Sequence, residues 1–278
     1  MQTLPLPIPF WKMNGAGNDF IIIDHRQPLI PQEKMAEFSR LLCRRKFSVG
    51  ADGVFLVEPS TRADFSWRFF NSDGSEAEMC GNGARCVARF AYMQGIAAAR
   101  MRFETLAGLV EASVADTRVT IRMTPPHSFL FDRQVEVDGQ RFLVHSVDTG
   151  VPHAVLFTDD IDMVDVVGLG RLIRHHPDFA PAGTNVNFIG RTTDGFRIRT
   201  YERGVEDETM ACGTGVAAGA LIAAAKGLVS SPVDMVTSGG VALTVQLLDQ
   251  DETKAAAVLL RGPAHIVYKG EITAEAFV

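Results

Sequence analysis

A short cysteine-glycine motif occurs twice in this chain, and each copy leads into an apolar segment with helical character. Cys80-Gly81-Asn82-Gly83 precedes a helix predicted for 84–94, and Cys212-Gly213-Thr214-Gly215 precedes one predicted for 215–226. Each copy also follows a strand candidate and an acidic stretch. A chain that repeats this order of elements is expected to fold as two similar halves.

The remaining periodicity favours strands over helices. Alternation of apolar and polar side chains predicts strands at 65–69, 119–123 and 196–199. Helical spacing of apolar residues is found at 31–45 and, more weakly, at 167–175. The chain is therefore predicted to be a sheet protein with a few helices.

A natural break lies at Pro125-Pro126, because two consecutive prolines interrupt a strand ladder and restrict the residue before them. We place the domain boundary there, between halves at 1–125 and 126–264. No low-complexity linker marks the boundary, so we expect the halves to face each other with the active site between them.

Composition limits the partners and the compartment. The net charge of −6, without a basic block, argues against nucleic acid as a partner. The N-terminus lacks the positive region of a secretory signal, and the apolar stretch at 216–225 is well short of the roughly 20 residues that span a bilayer. We expect a soluble, cytoplasmic protein whose four cysteines are reduced thiols.

A cysteine at the start of a helix lies beside unpaired backbone N–H groups and the positive end of the helix dipole. A thiolate is favoured there, and the following glycines let the backbone approach an anion closely. Two such turns supply two thiols and two anion cradles. This combination suits inversion of an α-carbon, in which one thiolate removes a proton and one thiol returns a proton to the other face. The charge that develops would spread onto a carboxylate held by the cradles, so no electron-sink cofactor is required.

Several sequence blocks resemble those of diaminopimelate epimerases. They recur in the family's order from Phe10 to about Ala218. The blocks are Lys12-Met13-Asn14-Gly15-Ala16-Gly17-Asn18-Asp19-Phe20, Asn71-Ser72-Asp73-Gly74-Ser75-Glu76, Cys80-Gly81-Asn82-Gly83-Ala84-Arg85-Cys86, Asn185-Val186-Asn187-Phe188, Tyr201-Glu202-Arg203-Gly204 and Ala211-Cys212-Gly213-Thr214-Gly215.

The resemblance implies an α+β fold of two similar halves. Each half would be a curled, mostly antiparallel sheet or barrel around a central helix, with the C-terminal strand, at 265–278, completing the first half. It also implies an isomerase that interconverts L,L- and meso-diaminopimelate for lysine and cell-wall synthesis. Such an enzyme works without pyridoxal phosphate, other cofactors or a metal, usually as a homodimer.

Site roles follow from the resemblance position by position. Cys80 and Cys212 resemble the acid/base pair, and His153 and Glu202 resemble residues that assist proton handling. The residues that would bind the substrate fall into two groups, one at the reacting carboxylate and one at the distal amino-acid end. The first group is Gly81, Asn82, Gly213, Thr214 and Asn18, and the second is Asn71, Asn185 and Arg203.

Two positions depart from the family pattern. Val151 stands where an asparagine is expected before Pro152-His153, and Gly53 stands where many members have glutamine. We expect the first change to affect distal recognition and the second to remove one polar contact near the reacting carboxylate.

Other interpretations of the same residues remain open. The chain could be a related racemase that acts on another amino acid, or a thiol redox or binding protein in which Cys80 and Cys212 form a reversible disulfide. A zinc site is disfavoured because Cys80 and Cys86 lack Cys-x-x-Cys spacing. Cys43 and Cys86 are expected to be packed in the core, and Arg203 could simply pair with Glu206 at the surface.

Overall fold

A computed structural model describes residues 4–192, 195–251 and 254–278. The chain divides into two compact units of similar size. Unit 1 extends to Ile121 and resumes at Gly262, and unit 2 is Arg122–Arg261. Within the described ranges, no helix is long and apolar enough to cross a membrane.

The described residues of unit 1 form eight strands and two α-helices. These are β1 (Ile8–Gly15), β2 (Asn18–Asp24), α1 (Met35–Leu42), β3 (Gly53–Glu58), β4 (Phe65–Asn71), α2 (Gly81–Met93), β5 (Arg100–Thr105), β6 (Gly108–Ala115), β7 (Arg118–Arg122) and β17 (His265–Ile272). Short 3₁₀ helices lie at Gln32–Lys34 and Ala274–Phe277.

Unit 2 has the same kinds of element. They are β8 (His127–Val137), β9 (Gln140–Asp148), β10 (Pro152–Thr158), α3 (Val166–Arg174), β11 (Asn185–Thr192), β12 (Gly195–Glu202), β13 (Asp207–Thr209), α4 (Gly213–Ala225), β14 (Val233–Val236), β15 (Ala242–Asp251) and β16 (Lys254–Pro263). A 3₁₀ helix lies at Pro177–Phe179.

The two units share one strand order and one pattern of strand directions. Unit 1 runs β17-β1-β2-β3-β4-β5-β6-β7, with parallel pairs only at β2–β3 and β4–β5. Unit 2 runs β8-β9-β10-β11-β12-β14-β15-β16, with parallel pairs at β10–β11 and β12–β14. Parallel neighbours need a crossover connection, and a helix supplies each one: α1, α2, α3 and α4 in turn. The expected two similar halves are confirmed.

One helix in each unit lies inside the curve of its sheet. Helix α2 contacts β1, β2, β3 and β6, and α4 contacts six strands from β9 to β15. A flat sheet could not reach one helix with strands so far apart in its order, so each sheet curls around its helix. The part of α4 from Gly215 to Ala223 is buried on every side, in keeping with a helix that is apolar all round. Among the described residues, no pairing joins β7 to β17 or β16 to β8, so the curled sheet is open and the barrel alternative is wrong.

The second helix of each unit covers the outer face of the sheet. In unit 1, Phe38 and Leu42 of α1 pack in one apolar cluster with Ile21 of β2 and Val54 of β3. In unit 2, Ile173 of α3 packs with residues of β10 and β11 in a corresponding cluster. The middle strands are thus covered on both faces, which explains why β3 is an apolar run rather than an alternating one.

The helix boundaries differ from the sequence-based predictions at the glycines. Both central helices begin earlier than predicted, at Gly81 instead of Ala84 and at Gly213 instead of Gly215, because Cys80 and Cys212 are their N-cap residues. Helix α1 begins later than predicted, because Gln32–Lys34, at the start of the predicted segment, form a 3₁₀ turn.

Gly83 provides a test of how closely α2 approaches the sheet. A Cβ at Gly83 would lie 2.2 Å from Phe55 Cζ, whereas one at Gly81 would meet only Ile121 Cδ1, at 3.8 Å. We expect Gly83→Ala to lower the free energy of unfolding by about 1–3 kcal/mol, as overpacking does. Gly81→Ala, in the same turn, should change it by less than about 1 kcal/mol. Denaturant unfolding of both variants measures the difference, and equal effects would contradict the close packing.

Candidate functional site

Cys80 caps the N-terminus of α2 in unit 1. Its backbone is extended, and Sγ accepts a hydrogen bond from Gly83 N at 3.5 Å. The intrahelical bonds begin with Ala84 N to Cys80 O (2.8 Å), so the amides ahead of that bond point out of the helix end. The thiol therefore lies at the positive end of the helix dipole.

A chain of amide groups orients the polar surroundings of Cys80. Arg85 donates to Asn82 Oδ1 at 2.8 Å, which turns Asn82 Nδ2 toward Asn18 Oδ1, 3.5 Å away. At its other end, Asn18 Nδ2 donates to Asp52 at 2.5 Å. Asn18 is thus fixed from both sides and presents its carbonyl oxygen to the thiol, with Sγ to Oδ1 at 3.8 Å.

Charged groups support the two ends of this amide chain. At one end, Arg85 places a positive charge in the second turn of α2. Its side chain is fully buried, and burial lowers the pKa of the guanidinium. Arg45 pairs with both Asp52 (2.9 Å) and Asp19 (2.5 Å). Burial would raise the pKa of Asp19, but hydrogen bonds from Arg45 and Lys12 outweigh it, so the pKa is lowered and the carboxylate stays ionised.

A tight hairpin brings Asn18 to this position. Gly15 pairs with Asn18, and the two residues between them, Ala16 and Gly17, both have positive φ, as a two-residue type I′ turn requires. A Cβ at Gly15 would lie 2.7 Å from the carbonyl oxygen of Asn82. The glycine therefore lets the hairpin pack directly on the first turn of α2.

Cys212 is the N-cap residue of α4 in unit 2, although its thiol does not accept a capping hydrogen bond from the helix as that of Cys80 does. Its backbone is extended, and the first intrahelical bond joins Val216 N to Cys212 O at 3.0 Å. Sγ lies 3.4 Å from Thr214 Oγ1. The carbonyl of Thr214 accepts a hydrogen bond from the buried hydroxyl of Thr149 (3.1 Å), which ties the turn to the end of β9.

Glu202 is the acidic neighbour of Cys212. Burial raises the pKa of its carboxyl group, although hydrogen bonds from Thr209 (2.8 Å) and from the Cys212 thiol act in the opposite direction. A carboxylate of raised pKa beside a thiol is suited to accept and return a proton.

His153, in β10, has no solvent exposure. Burial lowers the pKa of its imidazole to about 3, and nearby Arg203 acts in the same direction. At this pKa the ring is neutral at ordinary pH. Its Nδ1 is 3.0 Å from Asn187 Nδ2.

The three residues predicted to bind the distal amino-acid end differ in the hydrogen bonds that they make. Asn185 accepts a hydrogen bond from Arg203 N (2.8 Å) and donates one to Pro152 O (3.1 Å). Its side-chain amide is therefore already hydrogen-bonded to the backbone at both ends. Asn71, in unit 1, donates to Ser75 Oγ within its own turn. The guanidinium of Arg203 reaches Ala182 O at 3.4 Å.

The surface pairing considered for Arg203 is not found. Glu206 pairs instead with Arg174 and lies near His175. Cys43 and Cys86 are buried, and burial raises the pKa of each thiol to about 12, as expected for core cysteines.

Gly53 does not leave a gap for a polar side chain. A Cβ there would lie 2.5 Å from the ring of Phe69 and 2.7 Å from the carbonyl oxygen of Phe70. The expectation that this departure merely removes a polar contact is incomplete, because an aromatic ring occupies the space.

Three residues with central contacts were absent from the predicted site: Asp52, Asn187 and Thr209. Asn187 could have been found, since it lies two residues after Asn185 in a strand and so shares its face. Asp52 and Thr209 carry no comparable local signal. Among the residues that the structure describes, no group of three His, Cys, Asp or Glu side chains is arranged to hold a metal ion.

Comparison with known proteins gives one consistent result. The family model described as diaminopimelate epimerase matches residues 10–129 and 145–267. The diaminopimelate epimerase of Hydrogenobaculum sp. (strain Y04AAS1) is 48% identical over 96% of this chain and 99% of its own length. That of Aquifex aeolicus is 43% identical over 96% of this chain and 98% of its own.

Solved structures of other proteins share the fold. A PhzF-family phenazine biosynthesis protein from Bacillus anthracis has a TM-score of 0.75 at 16% identity, covering 96% of this chain and 99% of its own. A probable proline racemase from Agrobacterium radiobacter K84 has a TM-score of 0.71 at 18% identity, covering 96% and 93%. At these identities the likeness concerns the fold alone.

The raised pKa of Glu202 predicts how stability changes with pH. As pH rises, the unfolded chain ionises this carboxyl before the folded chain does, so the buried group progressively costs stability. Relative to wild type, Glu202→Gln should therefore gain unfolding free energy as pH rises from below the usual glutamate pKa to above the raised value.

Glu76 is the matched control because Arg68 lowers its pKa, which reverses the sign. As pH rises through the range just below the usual glutamate pKa, Glu76→Gln should lose stability relative to wild type, whereas Glu202→Gln gains stability in the range just above it. Denaturant unfolding at a series of pH values measures both. The same trend in the two variants would show that the Glu202 site is not desolvated as described.

Proposed function

The chain belongs to the diaminopimelate epimerase family, and we propose that it is an isomerase that interconverts L,L- and meso-diaminopimelate. The observation that carries this proposal is the near full-length similarity to curated relatives of that name. The reaction would serve lysine and cell-wall precursor synthesis.

Cys80 and Cys212 act, in this proposal, on opposite faces of one α-carbon. One thiolate removes the α-proton and becomes a thiol, and the electron pair of the broken C–H bond spreads into the carboxylate. The other thiol gives its proton to the opposite face and becomes a thiolate. The support is that each cysteine caps the central helix of its unit in the same conformation.

The amides at these helix ends are proposed to hold the reacting carboxylate. Those of Gly81, Asn82, Gly213 and Thr214 precede the first intrahelical bonds and point out of the helices. Donors fixed before the reaction stabilise the charge that develops on the carboxylate without having to reorganise. Asn18, held by Asp52, would complete this group.

Glu202 and His153 are proposed to assist proton handling, and Glu202 has direct contact with Cys212 in support. Asn71, Asn185 and Arg203 are proposed to bind the distal amino-acid end. A guanidinium suits a distal carboxylate because it can form two parallel hydrogen bonds to it. In solution we expect a cytoplasmic homodimer.

Isotope exchange tests the proposed reaction directly. In D₂O, the purified protein should exchange the α-proton of L,L-diaminopimelate and form the meso isomer without added pyridoxal phosphate or metal. Mass spectrometry and chiral chromatography measure the two outcomes. A requirement for pyridoxal phosphate, or loss of exchange on chelation, would contradict the cofactor-free mechanism, and activity only on single-headed amino acids would favour a related racemase.

Substitution of each cysteine tests the proposed pair. Cys80→Ala and Cys212→Ala should each abolish epimerisation, because each removes the proton carrier of one face. Cys43→Ala and Cys86→Ala are the controls: both thiols are buried, so these variants should keep most activity and lose some stability. Full epimerisation by either of the first two variants would overturn the two-thiol assignment.

A further inference from the structure

Asn187 has a side-chain orientation that its neighbours fix completely. Nδ2 donates to the carbonyl oxygen of Ala154 at 2.8 Å, and Oδ1 accepts from the hydroxyl of Thr200 at 3.0 Å. The reverse orientation would set Oδ1 against the Ala154 carbonyl, and neither oxygen has a proton to donate. Asn187 has no solvent exposure, so water does not offer an alternative.

This orientation decides which nitrogen of His153 carries the proton. The remaining N–H of Asn187 Nδ2 points at His153 Nδ1, 3.0 Å away. Nδ1 must therefore accept a hydrogen bond, and an imidazole nitrogen that accepts is unprotonated. In the neutral ring the proton is then on Nε2.

His153 Nε2 is buried and has no hydrogen-bond partner among the described residues. A buried N–H without an acceptor is unfavourable, and an incoming acceptor would recover that cost. The positive charge of Arg203 acts on the same ring, and a positive charge nearby favours an anionic partner for this N–H. Because Nδ1 already accepts a hydrogen bond from Asn187, it is not available to remove a proton. The ring can instead donate a hydrogen bond from Nε2–H.

We infer that Asn187 is a positioning residue that holds His153 as the Nε2–H tautomer, so that His153 donates a hydrogen bond to an anionic group of the bound amino acid and does not act as a base. The inference narrows the role proposed for His153 from proton handling to hydrogen-bond donation, and it rests on the proposed function for the identity of the ligand. The tautomer itself is independent of any activity.

NMR spectroscopy of ¹⁵N-histidine-labelled protein tests the tautomer. Long-range ¹H–¹⁵N correlation should show His153 with a pyrrole-type Nε2 and a pyridine-type Nδ1 near neutral pH, and the spectrum of His153→Gln assigns the signals. A protonated Nδ1, or a charged ring, would overturn the inference even if the enzyme is an active epimerase.

Two substitutions test the role of Asn187. Asn187→Ala removes the donor to Nδ1, so the His153 signals should move toward the average of the two tautomers. Thr200→Val is the matched control, because it removes the hydrogen bond to Asn187 Oδ1 and leaves the donor to Nδ1 in place. An unchanged Nε2–H tautomer in Asn187→Ala would overturn the positioning role. If that variant does not fold, the wild-type spectrum still decides the tautomer.

Activity distinguishes a donor from a base. The amide of His153→Gln can donate from near the Nε2 position, whereas His153→Ala has no donor. We expect His153→Gln to keep kcat/KM within about tenfold of wild type and His153→Ala to lose about 100-fold, the range for a hydrogen bond to a charged group. Equal loss in both would overturn the donor role. A wild-type protein inactive on diaminopimelate but with the stated tautomer would instead refute the proposed function.

Discussion

The close approach of each central helix to its sheet is the constraint on which both halves of this structure depend. Gly83 lies against the ring of Phe55, and Gly215 lies against Asn187 Oδ1, where an added Cβ would be only 2.3 Å away. Only glycine permits these contacts. Because the third residue of each helix is pressed against the sheet, the cysteine that caps the helix and the first amides are held in place by packing as well as by hydrogen bonds.

The register of the strands shows that the two units share this scaffold but fill it differently. The positions of Phe20, Phe55 and Phe69 in unit 1 correspond to those of His153, Asn187 and Thr200 in unit 2. In unit 1 these side chains form an aromatic cluster, with Phe55 and Phe69 stacked at 4.3 Å. In unit 2 they form a buried polar network, which costs desolvation and leaves His153 Nε2 without a hydrogen-bond partner among the described residues. The network orients these polar groups at a desolvation cost that the aromatic cluster does not have.

Much of the fold was accessible from local sequence. The alternation at 65–69 became β4, and the apolar segments after Gly83 and Gly215 became the central helices, because both patterns repeat with the period of the element they form. The surroundings of the cysteines were less accessible. Asn18 was identified by resemblance, but its support from Asp52, 34 residues away, depends on which strand lies beside which. The filled space at Gly53 could not be predicted either, since it depends on where Phe69 lies on the neighbouring strand.

By itself, then, the sequence determined the duplicated cysteine caps, the apolar helices that follow them and the predominance of strands, since each of these is a property of neighbouring residues. The family resemblance already implied that a C-terminal strand completes the first half and that each sheet is curled. Only the tertiary structure decided which strand β17 pairs with, that each curled sheet is open, and that Asn187 donates to His153 across two parallel strands. Hydrogen-bond partners distant in sequence are set by strand register. A one-residue shift in register would turn every side chain of a strand to the other face, and periodicity alone does not specify which pairing is made.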